Sequence, residues 1–299
     1  MSTAPSSLPS FSRPSLEPSA TETPKRRYQW GQMIPWVLCH LVVFGVFWTG
    51  ITWQAVAIGV AFWAMRIFAV TGVYHRYFSH RTYETSRPFQ FVLAWMAESS
   101  AQRGVLWWAA HHRAHHLYSD TERDLHSPKQ SGFWHSHLMW IFEDEGETDW
   151  KRIQDFAKYP ELVWLNKWHL LPPAALAILA YALGGWSGLL IGFFLSTVVT
   201  WHSTYLINSL CHVWGKRRFE TRDTSRNNLF LALLTFGEGW HNNHHHYMNS
   251  CRQGFYWYEI DPTYYILKAL SWVGLVWNLK QPPARVLEEG RRRDAALKG

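Results

Sequence analysis

Charge is scarce in this chain. Asp, Glu, Lys and Arg make up 17% of its 299 residues, against about 25% in a typical soluble domain. None of the four occurs between Met33 and Met65, or between Trp168 and Gly215. Each run exceeds the roughly 20 residues that cross a bilayer once, which excludes a soluble globular enzyme. Cysteine is also rare: Cys39, Cys211 and Cys251 lie far apart with no Cys-x-x-Cys pair. A disulfide scaffold and a thiolate zinc or iron–sulfur site are thereby excluded. Residues 1–24 are rich in Ser, Pro and Thr and lack the apolar core of a signal peptide, so 1–29 reads as a disordered cytoplasmic tail. No nucleic-acid recognition motif accompanies the formal charge of +7, so nucleic acid is not an expected partner. The basic clusters Lys25-Arg26-Arg27, Lys216-Arg217-Arg218 and Arg291-Arg292-Arg293 flank apolar runs instead, as membrane orientation and anionic lipid require.

What is abundant is large apolar surface: 47% hydrophobic residues and 20 Trp. Two apolar runs separated by Thr49-Gly50-Ile51-Thr52, and two more separated by Gly184-Gly185, read as two helical hairpins. The expected fold is an all-α membrane protein with four transmembrane helices, at about 33–50, 53–73, 170–184 and 186–211, beneath a helical cytosolic cap. Pro172 and Pro173 suit the first turn of the third helix. Both hairpin turns are short and uncharged, while the N-terminal tail, the middle segment and the C-terminal region hold the Lys and Arg. The positive-inside rule places those three, and both termini, in the cytoplasm. The segment from Phe89 to Ala110 contains Glu98, Gln102 and Arg103 and reads as an interfacial or packed helix, not a fifth crossing. Residues 30–280 form one membrane domain, and 281–299, opening on Gln281-Pro282-Pro283, a polar tail.

The 17 histidines cluster. His112, His115 and His116 stand at i, i+3, i+4, one face of an α-helix, and His241, His244 and His245 repeat the pattern. Three imidazoles on one face can converge on a metal, and two such faces make a two-metal cage. Asn208 and His212, at i and i+4, can point into the same cavity. His75 and His80 are five apart, so the helix is expected to end or bend between them. Zinc sites close at four ligands; nine or more imidazoles without cysteine suit a pair of first-row redox metals, iron where oxygen chemistry is involved. His40 and His202, inside spans, read as helix-packing polar residues. His126, His135, His137 and His169 read as structural, and His111 and His246 sit one residue off the face of their clusters. Glu238 and Asp120 are acidic neighbours suited to accept a ring N–H from a ligating histidine, or to ordinary capping and ion-pair roles.

At these residues the sequence resembles the membrane fatty-acid desaturases. His75-x4-His80, His112-x2-His115-His116 and His241-x2-His244-His245 are similar to that family's three histidine boxes. The flanks Ser79-His80-Arg81-Thr82-Tyr83, Trp107-Trp108-Ala109 and Gly237-Glu238-Gly239-Trp240 resemble the Δ9 acyl-CoA type. The resemblance covers about residues 30–280. It implies two iron ions held by His75, His80, His112, His115, His116, His212, His241, His244 and His245, with Asn208 reaching a metal through water. It also implies O2 as co-substrate and removal of hydrogens from C9 and C10 of a saturated C16 or C18 chain. No His-Pro-Gly-Gly haem motif is present, so the expected electron donor is a separate protein, ferredoxin or cytochrome b5 with its reductase. The chain departs from the animal pattern at Ala110-His111, where that pattern has Arg-Asp, and at Glu143-Asp144-Glu145, where it has a basic pair. A CoA head group calls for phosphate donors, for which Arg103, Arg113, Lys129, Lys151, Arg152 and Arg222 are the cytoplasmic candidates. An acyl chain on a glycerolipid needs fewer and is the alternative, but the flanks of all three boxes make acyl-CoA the expected substrate. A membrane hydroxylase would share the boxes, and a metal-binding transporter would carry ionisable groups at mid-membrane, where these runs offer only His40 and His202.

Overall fold

The computed structural model describes residues 28–143 and 146–296; the expectations for the first 27 residues and for Asp144 and Glu145 lie outside them. The structure is mostly helical. Its only paired strands among the described residues match Glu84 with Trp277 and Thr85 with Val276. Three helices are long and apolar enough to cross a membrane: Trp30–Thr49, Trp53–Ser79 and Leu171–Val213. Trp48 and Trp53 are each more than four-fifths exposed, a surface that hydrocarbon covers and water would not.

Local chemistry sets the breaks. The first helix stops where Gly50 adopts a positive φ of 75°, which a residue without Cβ reaches at little cost. The second starts at Thr52, whose hydroxyl accepts the N–H of Ala55. Pro172 and Pro173 open the third in its first turn. At Gly185 the backbone leaves helical geometry (φ 59°, ψ −149°) and the chain doubles back. A Cβ on Gly188 would lie 2.4 Å from the carbonyl oxygen of Ala180, a contact no straight helix allows eight residues apart. The two turns meet, with Gln54 Nε2 donating to Leu183 O (2.8 Å) and Ser187 Oγ to Gly50 O (3.0 Å). Arg66, fully buried, ties the second helix to the third through Ser196 and Thr197.

The Phe89–Ala110 stretch differs from the single helix expected. It forms two helices, Arg87–Glu98 and Val105–Tyr118, parted by a turn in which Ala101 and Arg103 have positive φ. The buried Glu98 carboxylate accepts the Val105 N–H (2.9 Å), and Asn166 Oδ1 accepts those of Leu106 and Trp107 (3.1 and 2.9 Å). These acceptors satisfy donors that the start of a helix leaves open. Gly104 is required there, since a Cβ would stand 2.1 Å from Asn166 Oδ1. Burial pushes the Glu98 carboxyl up to about 8. Leu93 and Ala97 of the first helix and Leu106 and Ala109 of the second join Val73, Tyr74 and Phe78 in the main core.

Ala284–Ala296 is a helix held by Arg218 on Asp294 (2.9 Å) and by Tyr256, whose hydroxyl donates to Leu287 O (2.7 Å).

Candidate metal centre

All nine histidines of the sequence pattern meet at one end of the long helices, in two sets. His75, His80, His112, His116 and His244 bring ring nitrogens within 4.8 Å of one another, and His115, His212 and His245 do the same. His241 joins the second set with its Nε2 3.1 Å from that of His212.

The first box arrives by an unexpected backbone. The Trp53–Ser79 helix does end between His75 and His80, but it widens before it stops. From Ala69 to Ser79 the chain is wound with i→i+5 hydrogen bonds, and the His80 N–H reaches the carbonyl of His75 (3.2 Å). Residues five apart then stand on one face, and the two imidazoles lie 4.8 Å apart between centroids. Such widened turns concentrate at functional sites. The other boxes use ordinary helix faces, at Val105–Tyr118 and His241–His246.

The first set fits a cation better than it fits itself. Its Nε2 atoms form a row, His75–His244–His116–His112–His80, at 3.0, 3.0, 2.9 and 3.1 Å. A ring nitrogen offers one proton or one lone pair, never both. At most two of the four contacts in such a row can therefore be hydrogen bonds. A metal–nitrogen bond of about 2.1 Å gives an octahedral edge of about 3.0 Å, so one central ion accounts for the whole spacing. Burial, reinforced by the neighbouring rings, holds His80, His112, His116, His241 and His244 well below the ordinary histidine range. They are neutral near pH 7, with lone pairs free for a metal.

Carboxylates hold several outer ring nitrogens. Glu238 Oε2 lies 2.6 Å from His75 Nδ1. Asp120 acts at one remove: its Oδ2 stands 3.8 Å from His212 Nδ1 and accepts from the Thr224 hydroxyl (2.7 Å), itself 3.2 Å from that ring nitrogen. Sequence reasoning missed two closer partners, Asp124 on His115 Nδ1 (2.9 Å) and Asp223 on His245 Nδ1 (2.8 Å). Burial raises each of these carboxyls, yet the adjoining histidine wins and holds it below the usual carboxylate range. His126, read as structural, lies with its ring centroid 4.3 Å from that of His115 at a tilt of 34°, beside Asp124. No spacing rule singles out Asp124 or Asp223, because both return from irregular loops. His111 and His246 stay out of both sets: one stacks on Trp107, the other on Phe219 with Nε2 3.2 Å from Glu289.

A cavity of about 750 Å³ runs up to His112 and His115, walled by Trp36, Trp108, Trp140 and Trp201 and reached by Asn208. Of the six cations considered for a head group, Arg103 and Arg152 line it. Arg113 is instead locked on Asp155 (2.9 Å) and on the carbonyls of Phe78 and Ser79. Lys129, Lys151 and Arg222 are exposed elsewhere, while Arg123, not anticipated, stands at the cavity.

The fatty acid desaturase family model matches residues 51–277. This chain belongs to the fatty acid desaturase family. The desaturase is thus an oxidoreductase, as the histidine boxes led one to expect. It is 36% identical over 235 residues to the chloroplastic palmitoyl-monogalactosyldiacylglycerol delta-7 desaturase of Arabidopsis thaliana, covering 77% of this chain and 63% of that protein. Over 268 residues it is 35% identical to the sn-2 palmitoyl-lipid 9-desaturase of Nostoc sp. (strain 36), covering 84% and 93%. The acyl-CoA C20 Delta5-desaturase of Anemone leveillei is 35% identical over 236 residues, covering 77% and 75%.

Proposed function

We propose that this desaturase introduces a Δ9 double bond into saturated C16 or C18 acyl chains, using O2 and two irons held by the nine histidines. The observation that carries the reading is the junction of two converging imidazole sets with a tryptophan-walled cavity at His112 and His115. Bound iron would supply the oxidant for an unactivated C–H bond, a task beyond any side chain. The protein's own part is positional. Five histidines form one set and four the other, with Asn208 reaching in from one turn before His212. Asp124, Asp223 and Glu238 fix ring orientation and keep the outer nitrogen protonated. The tryptophan walls exclude water and hold the chain against the histidines.

An acyl chain carried on a membrane glycerolipid is the favoured substrate. The cavity extends to Pro35, Trp36 and Cys39 of the first long helix and to Leu170, so a chain can enter from the bilayer. The rim guanidinium of Arg152 is paired with Asp149 (2.9 Å), which leaves less charge for three phosphates. Acyl-CoA is the second reading, supported by Arg103 and Arg123 at the same cavity. Purified enzyme with a reduced ferredoxin or cytochrome b5 is expected to form oleoyl groups in phosphatidylcholine vesicles. Oleoyl-CoA formation without added lipid selects the second reading, and an oxygenated chain in place of an alkene would sink desaturation in favour of hydroxylation.

We infer four crossings with both termini and the metal centre in the cytoplasm: the two reversals at Gly50 and Gly185, which lie together at the end away from the histidines, support the number, and the positive-inside rule supports the side. A cysteine placed at the exposed Ile51 should react from the far side of sealed vesicles and one at the exposed Lys129 from the cytoplasmic side. Reaction of both from one side refutes this topology.

A further inference from the structure

A second cavity, of about 500 Å³, reaches the histidines at His80 and shares no lining residue with the first. Its chemistry is the opposite of the tryptophan-walled one. Arg81, Glu84 and Lys280 are exposed around it, and Tyr77 and Gln90 lie buried at its inner end. The Tyr77 hydroxyl donates to Gln90 Oε1 (2.8 Å), leaving Gln90 Nε2 buried without a protein partner among the described residues. His80 turns Nε2 to His112 at 3.1 Å and so joins this cavity to the first histidine set. A buried amide without a partner calls for water.

The reaction needs such a place. Each turnover breaks two C–H bonds of the acyl chain, and O2 takes up those two hydrogens, two electrons from the carrier and two protons from solvent. One alkene and two waters result. An acyl chain in the first cavity blocks that route to both protons and water. We propose that the polar cavity at His80 is the aqueous port of the metal centre, admitting protons and releasing water while the acyl chain is in place; this rests on the desaturase reading. Gln90 and Tyr77 are its positioning residues, keeping the inner end polar and hydrated.

Accessibility tests it without turnover. In detergent-solubilised full-length Gln90→Cys protein saturated with stearic acid, a sulfonated methanethiosulfonate should modify the introduced thiol roughly tenfold faster than native Cys251, because thiol reaction follows exposure. Adding Thr85→Trp, which fills the cavity from its strand edge, should remove that advantage. Modification no faster than at Cys251 overturns the port and leaves the desaturase activity untouched. In the iron-loaded enzyme, Thr85→Trp alone should raise the peroxide released per double bond with no change in melting midpoint. An unchanged ratio, in protein whose cavity the thiol assay shows to be closed, also overturns it.

Discussion

Replacing His244 by alanine is expected to abolish desaturation and to lower the iron content of the purified protein. His244 is the joint of the first set, with its Nε2 3.0 Å from both His75 and His116. Its loss opens a gap that neither neighbour can close, because His75 is fixed on Glu238 and His116 is one turn from His112 on a helix. The comparison variant is His40→Ala, whose ring meets His202 (3.1 Å) and the Trp36 carbonyl (2.8 Å) well away from both sets. It should keep its iron and its activity. Iron analysis with product assay decides: full iron and activity in His244→Ala would refute the ligand assignment, as would one zinc per chain in the parent protein.

Arg76→Met should cost more stability than any surface change. The guanidinium is fully buried and donates to Asp261 (3.0 Å), to Glu238 (3.3 Å) and to the Cys251 carbonyl (2.7 Å). Methionine fills much of the volume and leaves two carboxylates buried without their cation. Breaking a buried pair in this way costs about 3–5 kcal/mol. Because Glu238 also holds His75, iron retention should fall together with the melting midpoint. A midpoint within a degree of the parent's would show that Arg76 is not the counter-ion of this site.

The nine histidines were legible because repetition and helical spacing are local properties of sequence. So were the long apolar helices and the glycines between them. The Gly237-Glu238-Gly239-Trp240 flank proved physically motivated: Gly237 has φ of 117°, and a Cβ there would meet Asp261 Oδ1 at 2.3 Å. What spacing could not supply were the partners that loops bring back from a distance. Asp223 lies 22 residues from His245, in a loop whose path is set by tertiary packing. The break at Gln102–Gly104 was hidden for a related reason, since the side chain that caps the next helix, Asn166, sits 60 residues from Leu106. The head-group cations were the weakest reading, because any cytoplasmic Arg or Lys satisfies the orientation rule without facing a cavity.

The widened segment from Ala69 to Ser79 makes the cage sensitive to length as well as to chemistry. In the other two boxes a histidine pair is spaced by four residues and an ordinary helical turn suffices. Between His75 and His80 one surplus residue is absorbed by backbone winding, and each turn spent this way gives up some hydrogen-bond quality. Deleting a single residue there, with every histidine retained, would let the helix relax to its tighter pitch. The Arg81-Thr82 continuation, whose Thr82 N–H bonds the Arg76 carbonyl (2.9 Å), would then be pulled out of register with the sheet edge at Glu84. A chain with all nine histidines would then fail to close the cage, and a count of histidine boxes would not reveal it.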